Sequence, residues 1–292
     1  MIRTNDASAY RTLQYNLSKT SSTLNQLYIK TSTGREVEKA SDDPSAVRTI
    51  VTSRSVMVIG DRYVANCKHV QDSLSTAESS IDSVIDIIDR ANEIAIAGVN
   101  DSLSDSDFAT YANEVAQLQE SLLDLANTQV DGKYIFAGYN NQTVPFSGSP
   151  VVYNGTDDHQ MIATSSGISV AKNITGLELF MDPVDIFAAL DDLATALQGG
   201  DTSVIANQLT SLEDAAEQVR TQQSSLGNTS ARMDDIIAVH ESAQLLAEAK
   251  LSRAEDADLT EVLSEVSKME LSLEATMQVT SRVSSLNLFD YL

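Results

Sequence analysis

The sequence is poor in cysteine and in large aromatic rings. Its 292 residues include one cysteine, Cys67, no tryptophan and an aromatic fraction of 5%. A single thiol excludes an intrachain disulfide and any metal site built from several cysteines. Few rings among many Ala, Ser, Thr and Leu residues favour slim helices that pack on small side chains. We therefore expect a bundle or coiled coil in which Cys67 is a small core residue.

Long apolar runs and basic residues are also scarce. No apolar run approaches the roughly 20 residues needed to cross a bilayer, so no membrane insertion is expected. The N-terminal segment lacks the apolar stretch of about 7 or more residues of a cleavable secretory signal, which leaves only export without cleavage open. Forty-two acidic residues stand against 19 basic ones, for a formal charge of −23. Such a chain repels phosphate backbones, which makes nucleic acid a poor partner.

Proline and glycine divide the chain into three parts. Residues 132–182 hold six of the 12 glycines and two of the four prolines, between short runs of β-branched and aromatic residues. This pattern predicts a small β insert, whereas the flanking arms predict long helices. The predicted domains are a terminal coiled-coil assembly domain (1–40 with 257–292), a helical rod domain (41–131 with 183–256) and the β insert (132–182).

Heptad patterns mark both ends of the chain and its first long helix. In that helix one row is Cys67, Leu74, Ile81, Ile88 and Ala95, and the second is Val70, Ala77, Val84 and Ala91. Apolar residues at alternating spacings of three and four form one seam in residues 10–31, and a second seam runs from 259 to 283. The two seams are predicted to pair, which brings residues 10 and 283 to the same end. The fold class that follows is mainly α with a small β insert: an elongated multi-helix rod with a terminal coiled-coil pair.

The segment SDDPSAV at 41–47 predicts the start of a long helix. Asp43 is placed to cap it, Pro44 suits its first position, and Asp42 adds negative charge beside the helix dipole. A helix from 44 to 97 would be roughly 80 Å long at about 1.5 Å per residue. Further helices are predicted over 105–129, from Asp182-Pro183 to about Leu197, and in two segments after Gly200.

The last eight residues, SLNLFDYL, carry five large apolar side chains. Termini are normally polar, because nothing covers them, so an apolar end indicates a surface that becomes buried on assembly. Together with the seams, this tail makes up the predicted assembly interface: Leu13, Leu17, Leu24, Leu27, Leu259, Val262, Val266, Met269, Leu273, Val283, Leu286, Leu288, Phe289, Tyr291 and Leu292.

Candidate catalytic and metal-binding patterns are weak. Ser169 and Lys172 match a Ser-x-x-Lys spacing, but they fall in a predicted strand and their companion motifs are absent. His159 follows two aspartates in what is interpreted as a solvated turn, and His240 is interpreted as a core or interface residue. The acidic run at 101–107 lacks the glycine and glutamate of a calcium loop and is interpreted as a helix connection with a capping aspartate. We expect no enzyme, no cofactor and no metal.

Three segments of the chain resemble the bacterial flagellin family. They are RTNDASAYRTLQYNLSKTSSTLNQLYIKTSTGREVEKASDDPSAV at 3–47, NTQVDGKYIFAGYNNQTVPF at 127–146 and LSEVSKMELSLEATMQVTSRVSSLNLFDYL at 263–292. YIFAGYNNQTVPF and SLNLFDYL are more similar to members at the junction of hook and filament than to filament flagellin. The compact insert, with no long variable outer region, agrees with that.

The resemblance implies a structural protein exported without a cleaved signal and assembled at the distal end of the hook, outside the cell. The implied partners are a ring of its own copies, the first hook-associated protein below, flagellin above, and a cytoplasmic export chaperone. It also implies termini that fold into a coiled coil on assembly. Filament-forming flagellin and a soluble coiled-coil signalling rod remain as alternatives, although the signalling rod predicts neither the β insert nor the apolar tail.

Overall fold

A computed structural model of the chain describes residues 3–99 and 103–289. Within them, seven helices flank three short antiparallel strand pairs, which confirms the predicted class, mainly α with a few small strands. The helices are α1 (Arg3–Thr33), α2 (Pro44–Gly98), α3 (Asp105–Ala126), α4 (Gly176–Phe180), α5 (Ile186–Gly199), α6 (Thr202–Glu255) and α7 (Leu259–Phe289). The strands are β1 (Gln129–Val130), β2 (Lys133–Tyr134), β3 (Phe146–Ser147), β4 (Val152–Tyr153), β5 (Met161–Ser165) and β6 (Ile168–Ala171).

The chain divides into two compact units. Unit 1 consists of Met1–Ile59 and Ala243–Leu292, and unit 2 consists of Gly60–Ser242. The divisions fall inside α2 and α6, so these two helices contribute residues to both units. The three domains predicted from composition are not tested by this division into two units, and they stay a prediction.

Unit 2 has a continuous core built on the heptads of α2. The rows predicted from residue 67 to 95 are buried, and Cys67 itself has no exposed surface. Apolar residues of α3, α5 and α6 join the same cluster. Because α2 presents its row of small and branched side chains over several turns, three other helices can pack against it closely.

The starts of the helices depend on short polar side chains. Asp43 accepts hydrogen bonds at Oδ1 from the backbone N–H groups of Ser45 (2.8 Å) and Ala46 (3.1 Å), and α2 begins at Pro44. The hydrogen bond from the Ser45 hydroxyl, followed by these two backbone bonds, lowers the pKa of Asp43. The neighbouring Asp42 accepts at Oδ2 from the Lys39 N–H (2.9 Å) and closes the preceding turn.

Two predicted helix starts are wrong in detail. The cap of α3 is Ser104, not an aspartate, and Asp107 completes a reciprocal capping box with it. The helix predicted to restart at Asp182-Pro183 begins at Ile186, where Asp185 accepts a hydrogen bond from the Ala188 N–H. In both cases several polar residues that can cap lie close together in the sequence, and propensity alone does not choose among them.

The insert is anchored to the helical core by aromatic rings. The three strand pairs form separate two-stranded sheets, and buried residues of the insert belong to the same apolar cluster as the helices. Phe180 of α4 meets Phe136 edge to face, with ring centroids 5.4 Å apart, and Phe146 at 5.2 Å. Phe146 also lies 5.4 Å from Phe187 of α5. These few rings fill the space that small side chains leave between insert and helices.

Two side-chain amides satisfy the backbone where regular structure is interrupted. Asn127 donates to the carbonyl of Phe146 and accepts from its N–H, both at 3.0 Å, so it takes the place of a strand partner. The buried Gln218 of α6 accepts from the Val184 N–H at 2.8 Å and donates to the carbonyls of Leu179 and Val184. Buried backbone groups without such partners are costly, so these amides stabilise the turn between α4 and α5 and the entry to β3.

Gly138 and Gly132 provide a matched test of packing in the insert. Both have positive φ, 64° and 73°, but a Cβ at 138 would overlap the carbonyl and hydroxyl oxygens of Thr156, whereas a Cβ at 132 meets nothing within 4 Å. We expect Gly138→Ala to lower the free energy of unfolding by about 3 kcal/mol and Gly132→Ala by about 1 kcal/mol. Urea unfolding followed by tyrosine fluorescence measures both, and equal losses would contradict the predicted overlap.

Candidate assembly interface

The seams predicted at the two ends of the chain meet in unit 1. Leu24 and Leu27 of α1 and Val262 and Val266 of α7 are buried together, and Met269 and Leu273 pack against them half-buried. Since the end of α1 lies beside the start of α7, the two helices run antiparallel. We call this contact the α1–α7 seam. It buries four large side chains among the described residues, which is a narrow contact for two helices of 31 residues.

A polar contact and an open groove continue the seam along both helices. The Tyr28 hydroxyl donates to Glu270 Oε1 at 2.7 Å, and this hydrogen bond to the carboxylate raises the pKa of Tyr28. Leu13 and Leu17 are only half-buried. Leu17 and Leu273 line an open groove with Tyr15 and Met277. The contact is therefore closed near the helix joint and open further out.

Several predicted interface residues lie outside this seam or outside the described part of the chain. Leu259, the first residue of a predicted seam row, is 46% exposed. The following residues cannot be placed, because their side chains or whole residues lie outside what the structure describes: Val283, Leu286, Leu288, Phe289, Tyr291 and Leu292. Their assignment to the assembly interface remains a prediction.

Large apolar side chains are exposed around the seam. On the terminal helices Tyr15 is 68% exposed and Leu271 is 70% exposed. On the parts of α2 and α6 within unit 1, the exposed apolar residues include Val51, Val58 and Leu245. Single exposed apolar residues are common, but a concentration of them on one unit marks an interaction surface. Unit 1 therefore presents apolar surface beyond its own seam.

A buried carboxylate lies where α1 and α6 end and α7 begins, beside α2. Glu255, the last residue of α6, has a side chain only 4% exposed. Its Oε1 accepts a hydrogen bond from Arg54 Nη2 at 2.5 Å and forms an ion pair with Arg35 Nε at 2.6 Å. Two backbone hydrogen bonds connect the segment after α1 to the segment after α6. The Glu36 N–H donates to the Glu255 carbonyl at 2.7 Å, and the Ala257 N–H donates to the Gly34 carbonyl at 2.9 Å. We call this group of residues the joint.

The joint fixes the terminal helices to the long ones. Arg35 follows α1, Arg54 belongs to α2 and Glu255 ends α6, so one carboxylate connects three elements. A nearly buried charge requires its partners, and removing one side of such a pair leaves the other uncompensated. Sequence analysis missed the joint, because no spacing in the sequence relates residues 35 and 54 to residue 255.

The weak catalytic and metal candidates have ordinary structural surroundings. His240 stacks on Tyr63, with ring centroids 5.1 Å apart, and its Nε2 lies 3.0 Å from the Thr164 carbonyl. His159 is partly exposed, with Nε2 3.2 Å from Glu178 Oε1. Ser169 is exposed on β6, and Lys172 follows that strand.

Across residues 3–99 and 103–289, no group of three or more His, Cys, Asp or Glu side chains is placed to hold a metal ion. No helix in that part of the chain is long and apolar enough to span a membrane.

Comparison with known proteins gives the family of both arms. The model of the bacterial flagellin N-terminal helical region matches residues 4–141, and that of the bacterial flagellin C-terminal helical region matches residues 209–292. The chain is similar to flagellar hook-associated protein 3 of Escherichia coli (strain K12), with 26% identity over 283 residues, 88% of this chain and 89% of that protein. It is also similar to flagellin of Listeria monocytogenes, with 22% identity over 94% of this chain and 92% of that protein.

Among solved structures, the fold is similar to that of flagellar hook-associated protein 3 from Legionella pneumophila. The TM-score is 0.65 at 18% identity, and the match covers 70% of this chain and 98% of that one. At this identity the likeness concerns the fold alone.

The joint yields a prediction for a single charge. We expect Glu255→Gln to lower the free energy of unfolding of unit 1 by about 1–3 kcal/mol, because two guanidinium groups lose their shared anion. Hydrogen exchange measured by mass spectrometry should show faster exchange at the amides of Glu36 and Ala257. The matched control is Glu36→Gln, which removes an exposed ion pair with Lys30 and should cost less than about 0.5 kcal/mol. Unchanged exchange in Glu255→Gln would show that the carboxylate does not hold the joint.

Proposed function

This chain belongs to the bacterial flagellin family, and we propose that it is a structural protein at the junction between the flagellar hook and the filament. The observation that carries the proposal is its similarity to flagellar hook-associated protein 3 over 88% of this chain and 89% of that protein. The compact insert between the two family-matched arms supports it further.

The proposed activity is assembly and not catalysis. Unit 1 combines a narrow internal seam with exposed apolar side chains on four helices, the arrangement expected of a surface that other subunits cover. Copies of this chain would form a ring through unit 1, with the first hook-associated protein on the hook side and flagellin on the filament side. The predicted interface residues of α7 beyond the seam, including Leu259, would contribute to these contacts.

Export follows from the same proposal. The chain would leave the cell without a cleaved signal, and a cytoplasmic chaperone would cover the apolar face of α7 beforehand. The exposure of Leu263, Leu271 and Met277 on that helix supports a need for cover. The mature location would be extracellular, in the flagellum.

Filament flagellin is the competing function, since the Listeria flagellin is matched over as much of the chain. Immunogold electron microscopy of detached flagella, with antibody to residues 132–182, separates the two. We expect one narrow band between hook and filament. Label along the whole filament would identify a flagellin, and unlabelled flagella would exclude both functions.

A charge in the α1–α7 seam should prevent assembly and leave unit 2 folded. Leu273→Asp replaces a half-buried leucine at the edge of the apolar α1–α7 seam with a carboxylate, and should weaken the seam by about 2 kcal/mol. In a strain whose only copy carries this change, we expect cells with hooks but without attached filaments, counted by electron microscopy, and loss of swarming. Leu17→Asp should have the same effect.

Ser272→Asp is the matched control for Leu273→Asp. It adds the same charge at the adjacent, exposed position of α7, outside the seam. Its strain should swarm normally. Normal filaments on the Leu273→Asp strain would remove the seam from the proposed mechanism.

A further inference from the structure

Charge is distributed very unevenly between the two units. Unit 2 contains 28 acidic and 7 basic residues, a formal net charge of −21, whereas unit 1 contains 14 acidic and 12 basic residues, a net charge of −2. Almost all of the excess negative charge of the chain therefore resides on unit 2.

Internal ion pairs cannot remove this excess. Arg90 contacts Glu93 and Glu114, and Arg220 contacts Asp89, yet seven basic residues leave 21 carboxylates in excess whatever pairs they form. Many of these carboxylates lie in solvent on the outer faces of the helices of unit 2, including those of Asp191, Asp192, Glu213 and Glu217. Unit 2 is thus a large, strongly anionic body.

Unit 1 has the opposite character, because it is nearly neutral and exposes apolar side chains on α1, α2, α6 and α7. Contacts between the apolar side chains of unit 1 do not depend on charge. Every copy that makes them, however, also carries the anionic unit 2. We propose that repulsion between the unit 2 bodies of neighbouring copies opposes self-association through unit 1, so that ionic strength sets whether copies assemble. This inference rests on the proposed function in one respect, that the partner of unit 1 is a second copy.

The distance over which the charges on two unit 2 bodies repel each other depends on the salt concentration. The Debye length is about 30 Å at 0.01 M and about 10 Å at 0.1 M ionic strength, so exposed charges on two neighbouring bodies repel strongly only at low salt. Contacts between apolar side chains are of short range and change little over this interval. Self-association should therefore rise with sodium chloride, and its midpoint should move with the net charge of unit 2.

Two sets of four substitutions in unit 2 test the sign of the effect. All eight residues lie outside the apolar core. The first set removes acidic charge and gives unit 2 a net charge of −17: Asp191→Asn, Asp192→Asn, Glu213→Gln and Glu217→Gln. The second set removes basic charge and gives −25: Lys68→Gln, Lys133→Gln, Lys172→Gln and Arg232→Gln.

The measurement is the mass-average molecular weight of the full-length chain by sedimentation, from about 0.02 to about 0.5 M sodium chloride. Coulomb repulsion follows the product of the two charges, so the first set lowers it to about two-thirds and the second raises it about 1.4-fold. We expect the salt midpoint to fall by at least about 1.5-fold in the first set and to rise by a similar factor in the second.

If the two sets move the salt midpoint in opposite directions, the cause is the charge of unit 2 and not a general effect of surface substitution. Shifts in the same direction, no shift, or a wild-type chain that stays monomeric at every salt concentration would each overturn the proposal. Leu273→Asp in the same salt series tests whether association between copies depends on an intact α1–α7 seam. If this variant associates as the wild type does, while the two sets still shift apart, the repulsion stands and the seam in the proposed function fails.

Discussion

The narrow contact between α1 and α7 is the constraint that leaves apolar side chains of unit 1 exposed. Two helices that touch along one stripe bury only that stripe, so residues such as Tyr15 and Leu271 stay in solvent unless another molecule covers them. The same contact is held near the joint around Glu255 and borders an open groove further along, at Leu17 and Leu273. A segment of this kind is stable as part of an assembly more readily than alone.

Unit 2 differs from unit 1 in both its core and its surface. Its heptad rows are covered by three further helices, and its insert is held by Phe136, Phe146 and Phe180 instead of by an extended sheet. The unit completes its own core and keeps its carboxylates in water. The division of the chain thus separates a unit with a large apolar core from a unit with many exposed apolar side chains, which suits a structural member of the flagellin family.

Periodic features of this fold were predictable from the sequence, and contacts between distant segments were not. The rows from Cys67 to Ala95 follow from spacing alone, because a helix places every seventh residue on one side. The seam at Leu24 and Val266 follows for the same reason. By contrast, Glu255 and Gln218 act through partners that only tertiary structure brings near, and nothing local distinguishes them from the exposed polar residues of α6. The actual cap of α3 was missed because several adjacent polar residues could have served.

The two connections at the joint differ greatly in length. The chain uses residues 34–43 between α1 and α2 but only residues 256–258 between α6 and α7. Three residues reach at most about 10 Å, so the start of α7 must lie within about that distance of the end of α6. The short connection therefore ties the start of α7 closely to the end of α6, whereas the longer one allows a wider separation between the end of α1 and the start of α2.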